Sequence, residues 1–167
     1  MIKFNVADIK KKLMAETSFR MEVQPGELDL SSQDLPVIGK ISIEGNIENA
    51  GDVLLMKAHL QAKVKRVCSR CLKEFEAQTE AQVEERYFPA ETDELPEDAL
   101  TYKFDVVDIT EPLREGLIVN EPVQPLCKAD CKGLCPICGA DRNVVDCHCD
   151  TRTIDPRLQK LAELLHK

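Results

Sequence analysis

The chain has 167 residues, of which 43% are hydrophobic and 4% aromatic, with no Trp and a formal net charge of −8. That length suits one domain with a small appendage, and the absence of Trp makes any core mostly aliphatic. The negative charge excludes a protein that coats nucleic acid by bulk electrostatics, so any RNA contact requires a local basic patch.

Met1-Ile-Lys-Phe-Asn-Val-Ala-Asp-Ile-Lys opens the chain without the apolar stretch of a secretory signal. No run approaches the roughly 18 apolar residues of a membrane span. The expected setting is therefore the cytoplasm, with no membrane partner. There, paired cysteines point to metal more than to disulfides.

Ile2, Phe4 and Val6 alternate, and Asp8 can cap a short helix through Ile9, Leu13 and Met14. Lys10, Lys11 and Lys12 read as a solvated face. Phe19-Arg-Met-Glu-Val alternates as a strand, and residues 24–36, with Pro25-Gly26 and Ser31-Ser32, read as a loop.

From Val37 a period of two sets in. Ile41, Ile43 and Ile47 face one way, and Lys40, Ser42, Glu44, Asn46 and Glu48 the other. Asn49-Ala-Gly51-Asp52 makes a turn. A second strand over about 53–67 buries Leu54, Met56, Ala58, Leu60, Ala62 and Val64. A third, over about 74–88, buries Phe75, Ala77, Ala81, Val83 and Tyr87. Three alternating segments joined by short turns predict an antiparallel meander with one wet face.

Placing Cys68 opposite Cys71, with Ser69-Arg70 at the tip, sets Lys65 beside Glu74, Lys63 beside Glu76 and His59 beside Glu80. Such pairs contribute roughly 0.2–1 kcal/mol each. Arg66, Arg70 and Lys73 are left without acidic partners in that register, which makes them the RNA-binding candidates.

Residues 89–100 are acidic, contain Pro89 and Pro96, and read as a loop. Tyr102, Phe104 and Val106 predict one more strand. Thr110-Glu-Pro-Leu-Arg-Glu-Gly-Leu-Ile-Val predicts a helix, with Asp108 or Thr110 as its cap and Pro112 in its first turn. Asp155-Pro156-Arg157 opens a last helix carrying Leu158, Leu161, Leu164 and Leu165 on one side.

Six of the eight cysteines lie between Cys127 and Cys149, and the other two form Cys68-Ser-Arg-Cys71. In Cys135-Pro-Ile-Cys138-Gly139, two thiols stand three apart in a tight turn that ends on a residue free to take positive φ. Zinc takes four thiolates in a tetrahedron. The spacing therefore predicts one or two zinc ions. Cys135, Cys138, Cys147 and Cys149 form the first site, and Cys68, Cys71, Cys127 and Cys131 a looser second one.

Cys131-x3-Cys135-x2-Cys138 also has the spacing of the radical-SAM cluster motif, but too little chain follows it to build the barrel those enzymes need. A redox dithiol at Cys68 and Cys71 lacks the thioredoxin-like βαβ surroundings. His59, His148 and His166 join no nucleophile and orienting acid, so neither a catalytic site nor a small-molecule substrate is expected.

The cysteine pattern also carries a resemblance. Cys68-Ser-Arg-Cys71-Leu72 after an alternating strand, Cys131-Lys-Gly-Leu-Cys135-Pro-Ile-Cys138-Gly, Cys147-x-Cys149 and Asp155-Pro156-Arg157 follow one another as in the YceD family, the large ribosomal RNA subunit accumulation proteins. The resemblance covers about residues 15–165. It implies a bacterial ribosome-biogenesis factor, not an enzyme, needed for accumulation of 23S rRNA and for large-subunit assembly. Its implied partners are 23S rRNA or its precursor, or a ribosomal protein of the large subunit. Members commonly carry Asn-Leu-Asn after the second knuckle, where this chain has Asp141-Arg142-Asn143. Not all members keep the C-terminal cysteines, which points to a structural cluster.

The expected fold is α+β. Residues 1–121 form a β-rich body with short helices, its antiparallel sheet either open or curled toward a barrel. Residues 122–167 form a zinc-stapled Cys-rich segment with a C-terminal helix. Two other functions stay open beside the ribosomal one: an acidic adaptor for a basic ribosomal protein, and a thiol redox or metal-binding protein.

Overall fold

A computed structural model describes residues 1–92 and 94–150. The expected helix at Asp155–Leu165 lies outside them. The chain divides into two units. The first comprises Met1–Arg66 and Phe75–Val123; the second comprises Val67–Glu74 and the chain from Gln124 onward.

The elements, in order, are β1 (Lys3–Asn5), α1 (Ala7–Lys10), β2 (Glu16–Val23), a 3₁₀ turn (Pro25–Leu28), β3 (Ile41–Asn49), β4 (Leu54–Val67), β5 (Glu74–Pro89), β6 (Leu100–Tyr102), β7 (Val106–Asp108) and α2 (Thr110–Val119). Five strands form one sheet in the order β2-β3-β4-β5-β6, and β1 pairs with β7 in a second. The large sheet is open, with β2 and β6 at its edges, so it is not closed into a barrel.

The alternation becomes burial as expected. Ile41, Ile43 and Ile47 of β3 and Leu54, Met56, Leu60 and Val64 of β4 are fully buried, with Ala58 and Ala62 close to it. The opposite face is laced with ion pairs: Arg20 with Glu44, Lys40 with Glu22, Lys57 with Glu84, and Lys63 with Glu76. Each exposed pair contributes little, but together they leave strand edges and faces charged, which opposes edge-to-edge association.

Helix α2 lies against the inner face of the sheet. The helix N-cap is Ile109, which offers no side-chain cap, and not Asp108 or Thr110. Asp108 Oδ1 instead accepts from the Thr110 amide, at 3.0 Å, and the Thr110 hydroxyl, at 2.6 Å, in the first turn. Leu113 and Leu117 are fully buried. Gly116 allows the close approach, since a Cβ there would lie 2.3 Å from Val83 Cγ2. Across the sheet the Phe19 ring covers Gly45, where a Cβ would meet it at 2.6 Å, and stacks on Phe4 with centroids 4.7 Å apart.

Five further expectations are corrected. The sheet is not purely antiparallel, because β6 joins β5 in parallel. The strand foreseen through Tyr102, Phe104 and Val106 is two strands. Phe104 and Asp105 between them take φ of 51° and 58°, the left-handed pair of a tight hairpin turn. The first helix stops at Lys10, with Met14 left-handed at φ 63°, so Leu13 and Met14 lie outside it and exposed. Val37 makes only an isolated bridge to Val64, and β3 starts at Ile41. The β4–β5 hairpin closes later than expected, with the Cys68 amide donating to the Lys73 carbonyl at 2.9 Å. Lys63 meets Glu76 and His59 meets Glu80, the latter at 3.7 Å, as the cross-strand pairing predicts.

Candidate metal centre

The second unit is built on two turns of the same design. In each, a cysteine amide donates to the carbonyl five residues on: Cys68 to Lys73 at 2.9 Å, and Cys135 to Ala140 at 2.8 Å. The amide four residues on donates back: Leu72 to the Cys68 carbonyl at 2.9 Å, and Gly139 to the Cys135 carbonyl at 2.9 Å. The fifth residue of each turn is left-handed, with φ 58° at Leu72 and 72° at Gly139. This winding turns intervening amides toward the first sulfur. Amide donors from Cys127, Cys71 and Arg70 hold the Cys68 thiol down at about 6 against the pull of burial. Those of Cys138 and Ile137 hold the Cys135 thiol down at about 6.

All eight cysteines are free thiols, gathered as Cys68, Cys71, Cys127 and Cys131 and as Cys135, Cys138, Cys147 and Cys149. Within each group the four sulfurs lie within 4.8 Å of one another. This is the grouping that the spacing predicts. Cys68 Sγ stands 3.8 Å from Cys131 Sγ, and Cys71 Sγ 3.7 Å from Cys127 Sγ. A disulfide requires about 2.05 Å. A tetrahedron of sulfurs about 2.3 Å from a central ion has edges of about 3.8 Å, so the donors fit a metal ion.

The thiols of each group also oppose one another's ionisation. Burial, followed by the neighbouring Cys71, Cys68 and Cys131, pushes the Cys127 thiol up to about 12. Cys138 and burial push Cys149 up to about 12. Four thiolates side by side become stable only around a cation. Each tetra-cysteine group can thus hold a metal ion.

The first group is closed in by its neighbours. Cys68, Cys71 and Cys131 are buried and Cys127 half-buried. The Asn143 amide donates to Cys131 Sγ at 3.4 Å and to Asp141 Oδ1 at 2.7 Å, while Asn143 Oδ1 accepts from the Lys132 amide at 2.9 Å. Gly133, at φ 71°, passes the Arg70 carbonyl so closely that a Cβ would lie 3.0 Å from it. The second group is more open. Cys135 is buried, Cys138 exposed, and Cys147 and Cys149 half-buried.

The three basic candidates do not have the free side chains that the hairpin register suggested. Arg66 makes a two-point pair with Glu121: Nε to Oε2 at 2.8 Å and Nη2 to Oε1 at 2.6 Å. Arg70 donates from Nη1 to the Cys131 carbonyl at 2.8 Å. Lys73 Nζ lies 2.6 Å from Asp141 Oδ2. Lys73 and Asn143 together hold the Asp141 carboxyl down at about 2. Sequence reasoning missed Asp141 and Asn143 as supports; their sign is an Asx turn, with the Asn143 amide on Asp141 Oδ1 at 2.9 Å.

No helix among the described residues is long and apolar enough to cross a membrane. A protein of Mycobacterium tuberculosis described as uncharacterised is 27% identical over 129 residues, covering 75% of this chain and 62% of its own length. YlbN of Bacillus subtilis, also described as uncharacterised, is 25% identical over 156 residues, 91% of both chains. The chain thus spans less than two thirds of the mycobacterial relative and nearly all of the Bacillus one. No solved structure matches. The family model described as large ribosomal RNA subunit accumulation protein YceD matches residues 56–165, a stretch that holds both cysteine groups and both turns. The chain belongs to the YceD family.

Proposed function

We propose that this protein is a non-enzymatic ribosome-biogenesis factor that acts in the cytoplasm on a large-subunit precursor and supports 23S rRNA accumulation. The observation that carries the reading is the family match across residues 56–165. Zn2+ is the metal proposed for both groups, since four thiolates in a tetrahedron suit an ion with no redox or ligand-field demand. Its role is structural: it holds the turn at Val67–Glu74 and the cysteine-bearing loops within residues 124–150, where regular secondary structure is lacking.

The proposed RNA contact is the exposed part of the tip, Arg70 and Lys73, while Arg66 is committed to Glu121. Each tip cation keeps donors beyond the partner described above, so a phosphate can be added without breaking the tie. Such contact is local, with a salt slope of roughly 2–4 phosphates.

A second reading is favoured by charge. Eight cysteine thiolates around two divalent ions add four negative charges to the formal −8. A strongly acidic protein suits a basic ribosomal protein of the large subunit as its partner. Affinity capture of the tagged protein with and without nuclease separates the two. Loss of partners after nuclease supports RNA, and retention of a basic ribosomal protein supports the adaptor. Absence of both kinds of partner contradicts the proposal.

A further inference from the structure

The two sulfur groups differ in a way that their shared turn design hides. The first is enclosed: three of its cysteines are buried, a fourth is half-buried, and Asn143 caps one sulfur. It also ties two segments far apart in sequence, Cys68–Cys71 and Cys127–Cys131. The second is local, with all four ligands between Cys135 and Cys149. Its turn is exposed from Pro136 through Gly139, including Cys138, and Ile137 within it is 58% exposed.

We infer that the group Cys135, Cys138, Cys147 and Cys149 is an oxidation site for peroxide-type two-electron oxidants, entered at Cys138, whereas the group Cys68, Cys71, Cys127 and Cys131 is retained. This inference rests on the zinc reading above.

The chemistry balances within the four sulfurs. The exposed Cys138 thiolate attacks one oxygen of hydrogen peroxide; the O–O bond breaks, a sulfenic acid forms, and hydroxide leaves to become water on protonation. A neighbouring thiolate of the same group then attacks that sulfur. An S–S bond forms, the S–O bond breaks, and a second hydroxide leaves as water. Two sulfurs lose two electrons in all and the peroxide gains them. The resolving thiol is already at hand, since all four sulfurs stand within 4.8 Å. A disulfide removes two of four donors, so the ion is lost from this group. Exposure decides which group reacts, because the oxidant must reach the sulfur.

Loss of the ion from this group frees the loop between Cys135 and Cys149. Asp141 and Asn143 lie on that loop, so their bonds to Lys73 and to Cys131 Sγ loosen with it, while Cys68, Cys71, Cys127 and Cys131 keep their metal.

The test uses the full chain loaded with zinc. Zinc content is measured first, hydrogen peroxide is then added in small excess, and released zinc is followed with a chromogenic chelator. Cysteines are afterwards trapped and mapped by peptide mass spectrometry. The expected result is two zincs per chain at the start, one released at least about tenfold faster than the other. New disulfides should fall only among Cys135, Cys138, Cys147 and Cys149. Both zincs leaving together, or disulfides appearing first among Cys68, Cys71, Cys127 and Cys131, overturn this inference and leave the zinc reading standing. A chain that binds no zinc at the start overturns both.

Discussion

Leu72 and Gly139 hold the same place in two turns of one design: each follows a Cys-x2-Cys pair, each donates its amide to the first cysteine's carbonyl at 2.9 Å, and each is left-handed. Only one of them is a glycine. A left-handed Leu costs roughly 1–2 kcal/mol that a glycine does not. Leu72→Gly is therefore expected to leave stability unchanged or raise it by up to about 1 kcal/mol, the gain being partly offset by a more flexible unfolded chain. Gly139→Ala is expected to lower it by about 1 kcal/mol. Urea unfolding of the metal-loaded protein measures both, and a destabilised Leu72→Gly beside an unaffected Gly139→Ala contradicts the shared design.

Helix α2 reaches the sheet through Gly116. Gly116→Ala places a Cβ where Val83 Cγ2 stands and is expected to cost about 1–3 kcal/mol by overpacking. Adding Val83→Ala opens the space, so the double variant is expected to be more stable than the two single effects sum to. Additive losses in a double-mutant cycle would refute the contact.

The pair between Arg66 and Glu121 is largely shielded, with side chains 13% and 22% exposed. It fixes β4 to the end of α2 within the first unit. Arg66→Ala is expected to cost about 1–3 kcal/mol, because a half-buried carboxylate loses both donors. Arg66→Lys recovers only part of it, since an ammonium cannot make the two-point contact. Thermal unfolding that is the same for wild type and Arg66→Ala would show the pair to be idle.

Asp141 carries an acid-side prediction. Its carboxyl is held down at about 2, first by Lys73 and then by Asn143, from an ordinary 3.8. A group depressed on folding contributes order that is fully present above about 3.8 and is lost as pH falls through about 2. Asp141→Asn removes that contribution and frees Lys73. The expected result is faster proteolysis within Val67–Glu74 at neutral pH, with no further change on mild acidification of the metal-loaded protein. Unchanged cleavage would contradict the tie.

Much of this was legible in the residues. The period of two along β3, β4 and β5 wrote most of the inner face of the sheet, with Gly45 and Thr79 among the inward positions that are not large and apolar. The spacing offered a partition of the eight cysteines without fixing it, and the sulfurs gather in those two groups. What was not legible depended on long-range partners or on unsignalled backbone. Phe104 and Asp105 turn the chain without Gly, Pro or Asn to announce it. Leu72 is left-handed where a glycine would have been read at once. Arg66 and Lys73 looked unpartnered because Glu121 and Asp141 lie far along the chain, beyond any strand register. The parallel docking of β6 likewise depends on the path of residues 90–99, which carry no period.

The central claim is that this member of the YceD family supports large-subunit rRNA. The most direct measurement is the amount of 23S rRNA, relative to the small-subunit rRNA, in cells depleted of the protein and supplied with wild type or with Cys68→Ser/Cys135→Ser. Depletion is expected to lower the ratio and the large-subunit peak, wild type to restore both, and the variant missing one ligand in each group to fail. An unchanged ratio on depletion would contradict the account.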